Sequence, residues 1–261
     1  MKRSIIAILL FVLAASGVHA EITTRSIEYM SGGTTMEGYL SFDDSITQET
    51  PTVLIFHEWW GINPYVERRA KEIAELGYVA FCVDIYGKGI RPATPAEAGQ
   101  QATIYRKDPM LMRARAKAGL DAILNYPFVD KDRIAAIGYC FGGGAALELA
   151  RSGADLVGVA SFHGNLDTQY PAGKGDIKGK VLILHGADDP VTPPAKLASF
   201  EAEMKAAGVD WQVNIYCDAV HAFTNPDSGN DPSKGAAYNK NADLRSWKAL
   251  KIFLNEIFGS N

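Results

Sequence analysis

Short apolar runs alternate with amphipathic stretches along most of this chain. Five continuous apolar runs are too short for helices and predict buried strands, at residues 53–56, 78–83, 134–137, 156–162 and 181–184. The stretches between them have helical spacing, clearest at residues 66–74 and 111–124, and again near the C-terminus. Fully apolar strands separated by helices favour a parallel sheet covered on both faces, with functional loops at the carboxyl ends of the strands.

The N-terminal part of the pattern is different. Residues 26–30 and 37–42 alternate polar and apolar side chains around a Gly-Gly pair, which predicts an antiparallel hairpin. Two polar stretches, residues 87–108 and 224–241, predict long loops over the same edge of the sheet. Because no repeat or low-complexity linker interrupts the pattern, residues 21–261 are predicted to form a single α/β domain.

The first 20 residues have the order of a secretory signal peptide. Lys2 and Arg3 precede an apolar stretch at residues 5–15, and small residues end the segment at Ala20. We expect cleavage after Ala20 and a periplasmic or secreted protein, with a buried N-terminal helix as the alternative. No later apolar run is long enough to span a bilayer, so no membrane association is expected after cleavage.

Composition and charge fit a globular protein and argue against other classes. Hydrophobic residues make up 47% and charged residues 21% of the 261, which excludes a disordered chain or a coiled coil. With a net charge of -4, the chain does not have the excess of basic residues that is typical of nucleic-acid binders. Three cysteines without a Cys-x-x-Cys pair support neither a disulfide framework nor a thiolate zinc site. Cys82 and Cys217 lie in strand-like runs and are expected to be buried.

Cys140 lies at a strand–turn–helix junction. The apolar strand leads into Gly138-x-Cys140-x-Gly142 and then into a helix of Ala and Leu, which is the nucleophile-elbow pattern with Cys in place of Ser. Glycine is needed on both sides because a side chain there would collide where the strand turns into the helix. The helix N-terminus favours a thiolate, and the N–H of Phe141 is a candidate oxyanion donor. A Gly-rich turn with a buried Cys is the alternative.

An acid and a histidine should follow such a nucleophile, each on a loop after a later strand. Asp189 and His221 occupy those positions. In this arrangement Asp189 orients His221, which exchanges a proton with the sulfur and then activates water. Asp189 or His221 alone is typical of an ordinary loop, but the two residues together after the elbow predict a catalytic triad.

These motifs resemble the dienelactone hydrolase family of α/β-hydrolases. The resemblance rests on Gly-Tyr-Cys140-Phe-Gly-Gly, Gly-Ala-Asp-Asp189-Pro-Val, His221-Ala-Phe, Phe-His-Glu58-Trp-Trp-Gly and Val-Asp-Ile-Tyr-Gly87. It implies the α/β-hydrolase fold: a mostly parallel central sheet with an N-terminal antiparallel hairpin and helices on both faces. It also implies a cysteine hydrolase of small esters, lactones or thioesters that works through an acyl-thioenzyme and without a cofactor.

The same resemblance assigns further site residues. A glutamate matching Glu58 contacts the resting thiol and helps to activate it when substrate arrives, and the N–H of Trp59 supplies the second oxyanion donor. Members that cleave dienelactone grip a substrate carboxylate with two arginines. This chain has Lys88, or else Arg91, at the first position and Asn225 at the second, where no bidentate ionic pair can form. Lys88 is therefore the expected contact to a substrate carboxylate, and dienelactone itself is not favoured.

The remaining candidates concern metals, partners and other function classes. His57 and Glu58 do not make a zinc motif, because H-E-x-x-H needs a second His where Gly61 stands. We expect no metal, no nucleic-acid partner, a small ester or lactone as substrate, and a monomer or small homo-oligomer. Two other classes stay open: a hydrolase-fold binding protein with an idle or oxidised thiol, and a peptidase or acyltransferase using the same triad.

Overall fold

One mixed sheet runs through residues 21–259, the part of the chain that the computed structural model describes. The predicted signal peptide lies outside the described residues. The strands are β1 (Ile22–Ser31), β2 (Thr34–Asp43), β3 (Thr50–Phe56), β4 (Val79–Val83), β5 (Val129–Tyr139), β6 (Gly158–Phe162), β7 (Lys180–Gly186) and β8 (Trp211–Tyr216). Their order is β1-β2-β4-β3-β5-β6-β7-β8, antiparallel from β1 to β4 and parallel beyond. The predicted hairpin and all the predicted buried strands are confirmed.

Helices cover both faces of this sheet. They are α1 (Pro64–Ala74), α2 (Pro95–Lys107), α3 (Pro109–Ile123), α4 (Phe141–Arg151), α5 (Pro194–Ala207) and α6 (Lys240–Phe258). Successive residues of β3 point to opposite faces, so Leu54 packs in the apolar cluster with α3, α4 and α5, and Ile55 packs in the cluster with α1 and α6. No helix within residues 21–259 combines the length and apolar character that crossing a bilayer requires.

Helix α2 corrects the prediction that residues 87–108 form a loop. Its buried side chains are Ala98, Ala102 and Tyr105, two of which are alanines, so the sequence shows no apolar stripe of helical spacing. The helix start was nevertheless marked, because the Thr94 side chain caps the N-terminus and a proline follows it. The second polar stretch, residues 224–241, is largely irregular, as predicted, with two short 3-10 turns.

The two cysteines outside the elbow differ in exposure. Cys82 is fully buried in β4, as predicted. The prediction for Cys217 is wrong, because this residue lies one position beyond β8, in a turn at the sheet edge, and its side chain is exposed.

Candidate active site

The elbow between β5 and α4 holds Cys140 in a strained backbone conformation. Its φ of 54° and ψ of -117° lie in a region that residues other than glycine rarely adopt. A Cβ built on Gly138 would lie 2.0 Å from the carbonyl oxygen of Gly142, and one built on Gly142 would lie 2.1 Å from that of Phe56. Both clashes are with backbone atoms, which confirms that the turn requires glycine on each side of the cysteine.

His163, at the end of β6, supports the backbone of the elbow. The Cys140 N–H lies between the Phe162 carbonyl oxygen at 3.0 Å and the His163 Nδ1 at 3.2 Å. Because Nδ1 accepts this bond, Nε2 carries the proton and donates to the Thr224 hydroxyl at 2.7 Å. Burial lowers the pKa of His163 well below its usual range, so the ring is neutral. The histidine therefore links the elbow to the loop that follows β8.

The three residues predicted as a triad lie in one hydrogen-bonded chain. His221 Nε2 is 3.0 Å from the Cys140 sulfur, and His221 Nδ1 is 2.9 Å from Asp189 Oδ2. Asp189 is buried, and its other oxygen accepts the Val191 N–H at 2.8 Å, which fixes the carboxylate. The neighbouring Asp188 is exposed and does not contact the histidine. Among residues 21–259, this is the one arrangement in which a cysteine sulfur hydrogen-bonds a histidine.

The protonated form of His221 is stabilised by the groups around it. Burial opposes the protonated ring, but the Cys140 sulfur and the Asp189 carboxylate outweigh it and raise the pKa of His221 to about 10. This shift favours the protonated imidazole at neutral pH, and because the charge on the sulfur is one of its causes, imidazolium and thiolate stabilise each other as a pair. A cation 3.0 Å from the sulfur favours the thiolate, which is the nucleophilic form of cysteine.

Glu58 is placed differently from the expectation. The Asn225 side-chain N–H donates to Glu58 Oε2 at 2.6 Å, and both residues are buried. Burial raises the pKa of Glu58 to about 7, although the bond from Asn225 favours the charged form. Within residues 21–259 the Cys140 sulfur hydrogen-bonds His221 and the Glu58 carboxylate accepts from Asn225, so the predicted contact between Glu58 and the thiol is not among the hydrogen bonds of the site. From the sequence, Asn225 stands out only as the position where dienelactone-cleaving members of the resembled family carry an arginine.

The two candidate oxyanion donors are Trp59, which lines the cavity that contains the Cys140 sulfur, and Phe141, which directly follows Cys140 in the chain. Phe141 is the first residue of α4, and Trp59 lies three residues after the end of β3. The Trp59 carbonyl accepts the Tyr86 hydroxyl at 3.0 Å, which orients that segment of backbone. Within residues 21–259 neither the Trp59 N–H nor the Phe141 N–H donates to another group, so both are available to a ligand.

Lys88 does not reach the site, which corrects the predicted carboxylate contact. Its ammonium pairs with Glu28 of β1, its side chain is 45% exposed, and it does not line the cavity that contains Cys140. Arg91 donates to the Ile90 carbonyl instead. The cavity that holds the Cys140 sulfur has a volume of about 850 Å³, and its basic lining residues are Arg106, Lys196 and Lys234. Trp59 and Trp60 form part of its wall.

His57 is a structural residue. Its Nδ1 donates to the Glu58 carbonyl at 2.6 Å and its Nε2 accepts the Ile85 N–H at 3.2 Å, so both nitrogens are occupied by backbone. Burial lowers the pKa of His57 to about 4, which keeps the ring neutral. The residue thus ties the segment after β3, which carries Glu58 and Trp59, to the end of β4.

Comparisons with known proteins agree with this geometry. The model of the dienelactone hydrolase family matches residues 36–258. A solved structure titled m3DLH is 37% identical, with a TM-score of 0.86 over 90% of this chain and 98% of its own. A dienelactone hydrolase-like promiscuous phosphotriesterase from metagenomic libraries is also 37% identical, with a TM-score of 0.84 and the same coverage. A Saccharolobus solfataricus protein named "Putative carboxymethylenebutenolidase" is 26% identical over 89% of this chain and 98% of its own. Since the family match runs from β2 through the elbow to the end of the last helix, this chain belongs to the dienelactone hydrolase family and is a carboxylic ester hydrolase.

Proposed function

We propose that the protein hydrolyses small esters, lactones or thioesters with Cys140 as nucleophile, His221 as acid and base, and Asp189 as the residue that orients the histidine. The observation that carries the proposal is the hydrogen-bond chain from the sulfur to Nε2 at 3.0 Å and from Nδ1 to Oδ2 at 2.9 Å. The relatives named as carboxymethylenebutenolidase and dienelactone hydrolase support a small ester or lactone as substrate.

Acylation begins with the thiolate–imidazolium pair. The Cys140 sulfur attacks the carbonyl carbon, and the electron pair of the carbonyl moves to oxygen, where the Trp59 and Phe141 N–H groups stabilise it. The tetrahedral intermediate then collapses and the bond to the leaving oxygen or sulfur breaks. His221 gives its proton to that leaving atom, so the step yields a neutral imidazole, an acyl-thioenzyme and an alcohol or thiol, which for a lactone remains attached to the acyl chain as its hydroxyl group.

Deacylation reverses the roles of the same groups. Neutral His221 removes a proton from water, whose oxygen attacks the thioester carbon. Collapse of the second tetrahedral intermediate breaks the carbon–sulfur bond and releases the carboxylic acid. The sulfur leaves as a thiolate beside protonated His221, which restores the starting pair. Asp189 keeps Nε2 aimed at the sulfur throughout, because it holds Nδ1 from the opposite side.

Glu58 is assigned a role at the substrate. Its side chain lines the same cavity as Cys140, and the thiol already contacts its base without it. With a pKa of about 7, the carboxyl is largely protonated in mildly acidic solution and then offers a hydrogen-bond donor to an ester oxygen. Above that pH its charge disfavours an anionic group placed directly against it.

The test is turnover of para-nitrophenyl, lactone and thioester substrates by the mature protein and by Cys140→Ala. We expect Cys140→Ala to lose turnover of every substrate that the wild type cleaves. Cys217→Ser is the matched control, because Cys217 is exposed and does not line the cavity that contains Cys140. Turnover retained in Cys140→Ala, or lost in Cys217→Ser, contradicts the proposal.

Alkylation separates an active thiol from an idle one. A hydrogen bond with Asp218 and the charge of its carboxylate raise the pKa of Cys217, so iodoacetamide at neutral pH should modify Cys140 first even though Cys217 is more exposed. Loss of activity should follow the label on Cys140, located by peptide mass spectrometry. An intact, alkylatable Cys140 with no turnover of any substrate would favour a binding protein.

A phosphotriester is a second candidate substrate. The specific reason is the 37% identity, over 98% of its own chain, to the relative titled a promiscuous phosphotriesterase. The cavity of about 850 Å³ leaves room for a tetrahedral phosphorus centre with three substituents. Adding a para-nitrophenyl phosphotriester to the substrate panel tests this, and turnover that survives Cys140→Ala would contradict a shared nucleophile.

A further inference from the structure

The Trp59 N–H, one of the two candidate oxyanion donors, belongs to a peptide group whose carbonyl is held by a side chain. This peptide is trans, so its carbonyl and its N–H point in opposite directions, and the direction of the Glu58 carbonyl fixes that of the Trp59 N–H. His57 Nδ1 donates to the carbonyl at 2.6 Å, and the Gly61 N–H donates to it at 3.3 Å. The shorter of these two bonds therefore comes from the imidazole of His57.

A second contact fixes the tautomer and the orientation of that imidazole. Nε2 of His57 accepts the Ile85 N–H at 3.2 Å, which leaves the ring proton on Nδ1, where it is donated to the Glu58 carbonyl. The ring is fully buried, and the Tyr86 ring packs edge-on against it with the ring centres 4.8 Å apart. The donor therefore has one direction. A hydrogen bond accepted by the carbonyl also polarises the peptide, which strengthens its N–H as a donor.

The same ring packs against the residue that carries the other candidate donor. The rings of His57 and Phe141 are stacked, with their centres 5.9 Å apart and an angle of 21° between their planes. The backbone of α4 also comes close to this residue, because a Cβ built on Gly142 would lie 2.6 Å from the His57 carbonyl oxygen. His57 thus contacts both segments of backbone that supply the candidate donors, and it lies between them.

We propose that His57 is the positioning residue of the oxyanion site: its Nδ1–H aims the Trp59 N–H at the carbonyl oxygen of the substrate, and its ring sets the distance to Phe141. The Tyr86 hydroxyl, which bonds the next carbonyl along the chain, is a second support. The proposal rests on the function proposed above, because it concerns the negative charge that forms on the substrate oxygen. His57 does not line the cavity, so it acts through the Glu58–Trp59 peptide and not on the substrate itself.

Two variants of the same shape test the bond to the Glu58 carbonyl. The amide nitrogen of asparagine is as many bonds from Cα as Nδ1 of histidine, so His57→Asn can still donate, whereas His57→Leu has the same branched shape without a donor. Both variants lack the ring, so both lose the bond to Ile85 and the stacking on Phe141. We expect kcat for para-nitrophenyl butyrate to be about tenfold lower in His57→Leu than in His57→Asn, with little change in KM. Removal of a whole oxyanion donor costs about a hundredfold to a thousandfold, and here the donor is only misaligned.

Alkylation of Cys140 separates this role from a role in folding. Iodoacetamide reacts with the thiolate at a saturated carbon, where no oxyanion forms, so its rate of reaction should be the same in both His57 variants. Equal kcat values in the two variants, or an alkylation rate that falls in step with kcat, would overturn the assignment. Failure of the proposed function is distinct, because Cys140→Ala would then retain turnover.

Tyr86→Phe tests the same site if replacement of His57 destabilises the protein. It keeps the ring but removes the hydroxyl that donates to the Trp59 carbonyl at 3.0 Å, so kcat should fall about threefold while the alkylation rate stays as in the wild type. Tyr78→Phe is the matched control, because it removes a hydroxyl that bonds Asn255 at 3.2 Å and does not touch this segment. An unchanged kcat in Tyr86→Phe, or an equal loss in Tyr78→Phe, contradicts the proposal.

Discussion

Glu58→Gln should make the stability of the protein less dependent on pH. The substitution removes an ionisable group but keeps the shape of the side chain and an oxygen that can accept the bond from Asn225. In the wild type, burial raises the pKa of Glu58 from 4.5 to about 7. The folded state therefore holds a proton that the unfolded state has already released between these two values. Over that range the free energy of unfolding falls as the pH rises.

The size of the effect follows from the difference between the two pKa values. At 1.36 kcal/mol per unit, the rise from 4.5 to about 7 corresponds to about 3 kcal/mol of lost stability, fully present above pH 7 and absent below pH 4.5. We therefore expect Glu58→Gln to gain up to about 3 kcal/mol over the wild type as the pH is raised from about 4 to about 8. The gain is an upper value, since water that enters the cavity would reduce the burial.

Urea denaturation followed by tryptophan fluorescence measures this difference at each pH. Glu75→Gln makes the same chemical change at an exposed position of the chain, where water solvates the charge in both states, so it should not reproduce the effect. A difference between wild type and Glu58→Gln that stays constant from about pH 4 to about pH 8, or that grows toward low pH, would refute the reasoning. Either result would mean that the carboxyl is charged or solvated in the folded protein.

Two further predictions concern the acid and the elbow. Asp189→Asn should lower kcat for para-nitrophenyl esters by about a hundredfold or more, because the histidine loses its orienting charge. Asp188 is exposed, so Asp188→Asn should keep a kcat near that of the wild type. The reverse ranking would move the acid to Asp188. Gly142→Ala should lower the free energy of unfolding in urea by about 3 kcal/mol or more, because the new Cβ would lie 2.1 Å from a backbone carbonyl. Gly32→Ala, which meets no atom within 4 Å and strains only φ, should cost about 1 kcal/mol, and equal losses would contradict the clash argument.

The buried strands and the elbow could be predicted because their causes are local. A strand buried on both faces must be apolar along its whole length, and the tight turn at Cys140 excludes side chains at Gly138 and Gly142. The spacing to Asp189 and His221 follows chain order, since each lies on the loop after its strand. The choice of Asp189 over the adjacent Asp188 comes from its spacing, three residues after Gly186 and directly before Pro190.

The errors have non-local causes. Lys88 occupies the position in the sequence where a carboxylate-binding residue is expected. Its side chain instead pairs with Glu28 of the hairpin, 60 positions away. Asn225 and Glu58 are 167 positions apart, so their bond could not be read from either motif. Arg106 lies on α2. Because α2 buries mostly alanines, the sequence predicts a loop there and does not place Arg106 at the cavity that contains Cys140.

The order of strands in the sheet divides the proposed catalytic groups between a protected centre and an exposed edge. The sulfur follows β5, which has a neighbour on each side, whereas His221 follows β8, which pairs only with β7. Local opening of an edge strand costs less free energy than opening of a central one. Of these two strands, β8 should therefore open first, so gentle heating should release His221 while Cys140 stays in place. Inactivation on gentle heating would then precede global unfolding and reverse on cooling, because the part of the fold that positions the sulfur would never have been lost.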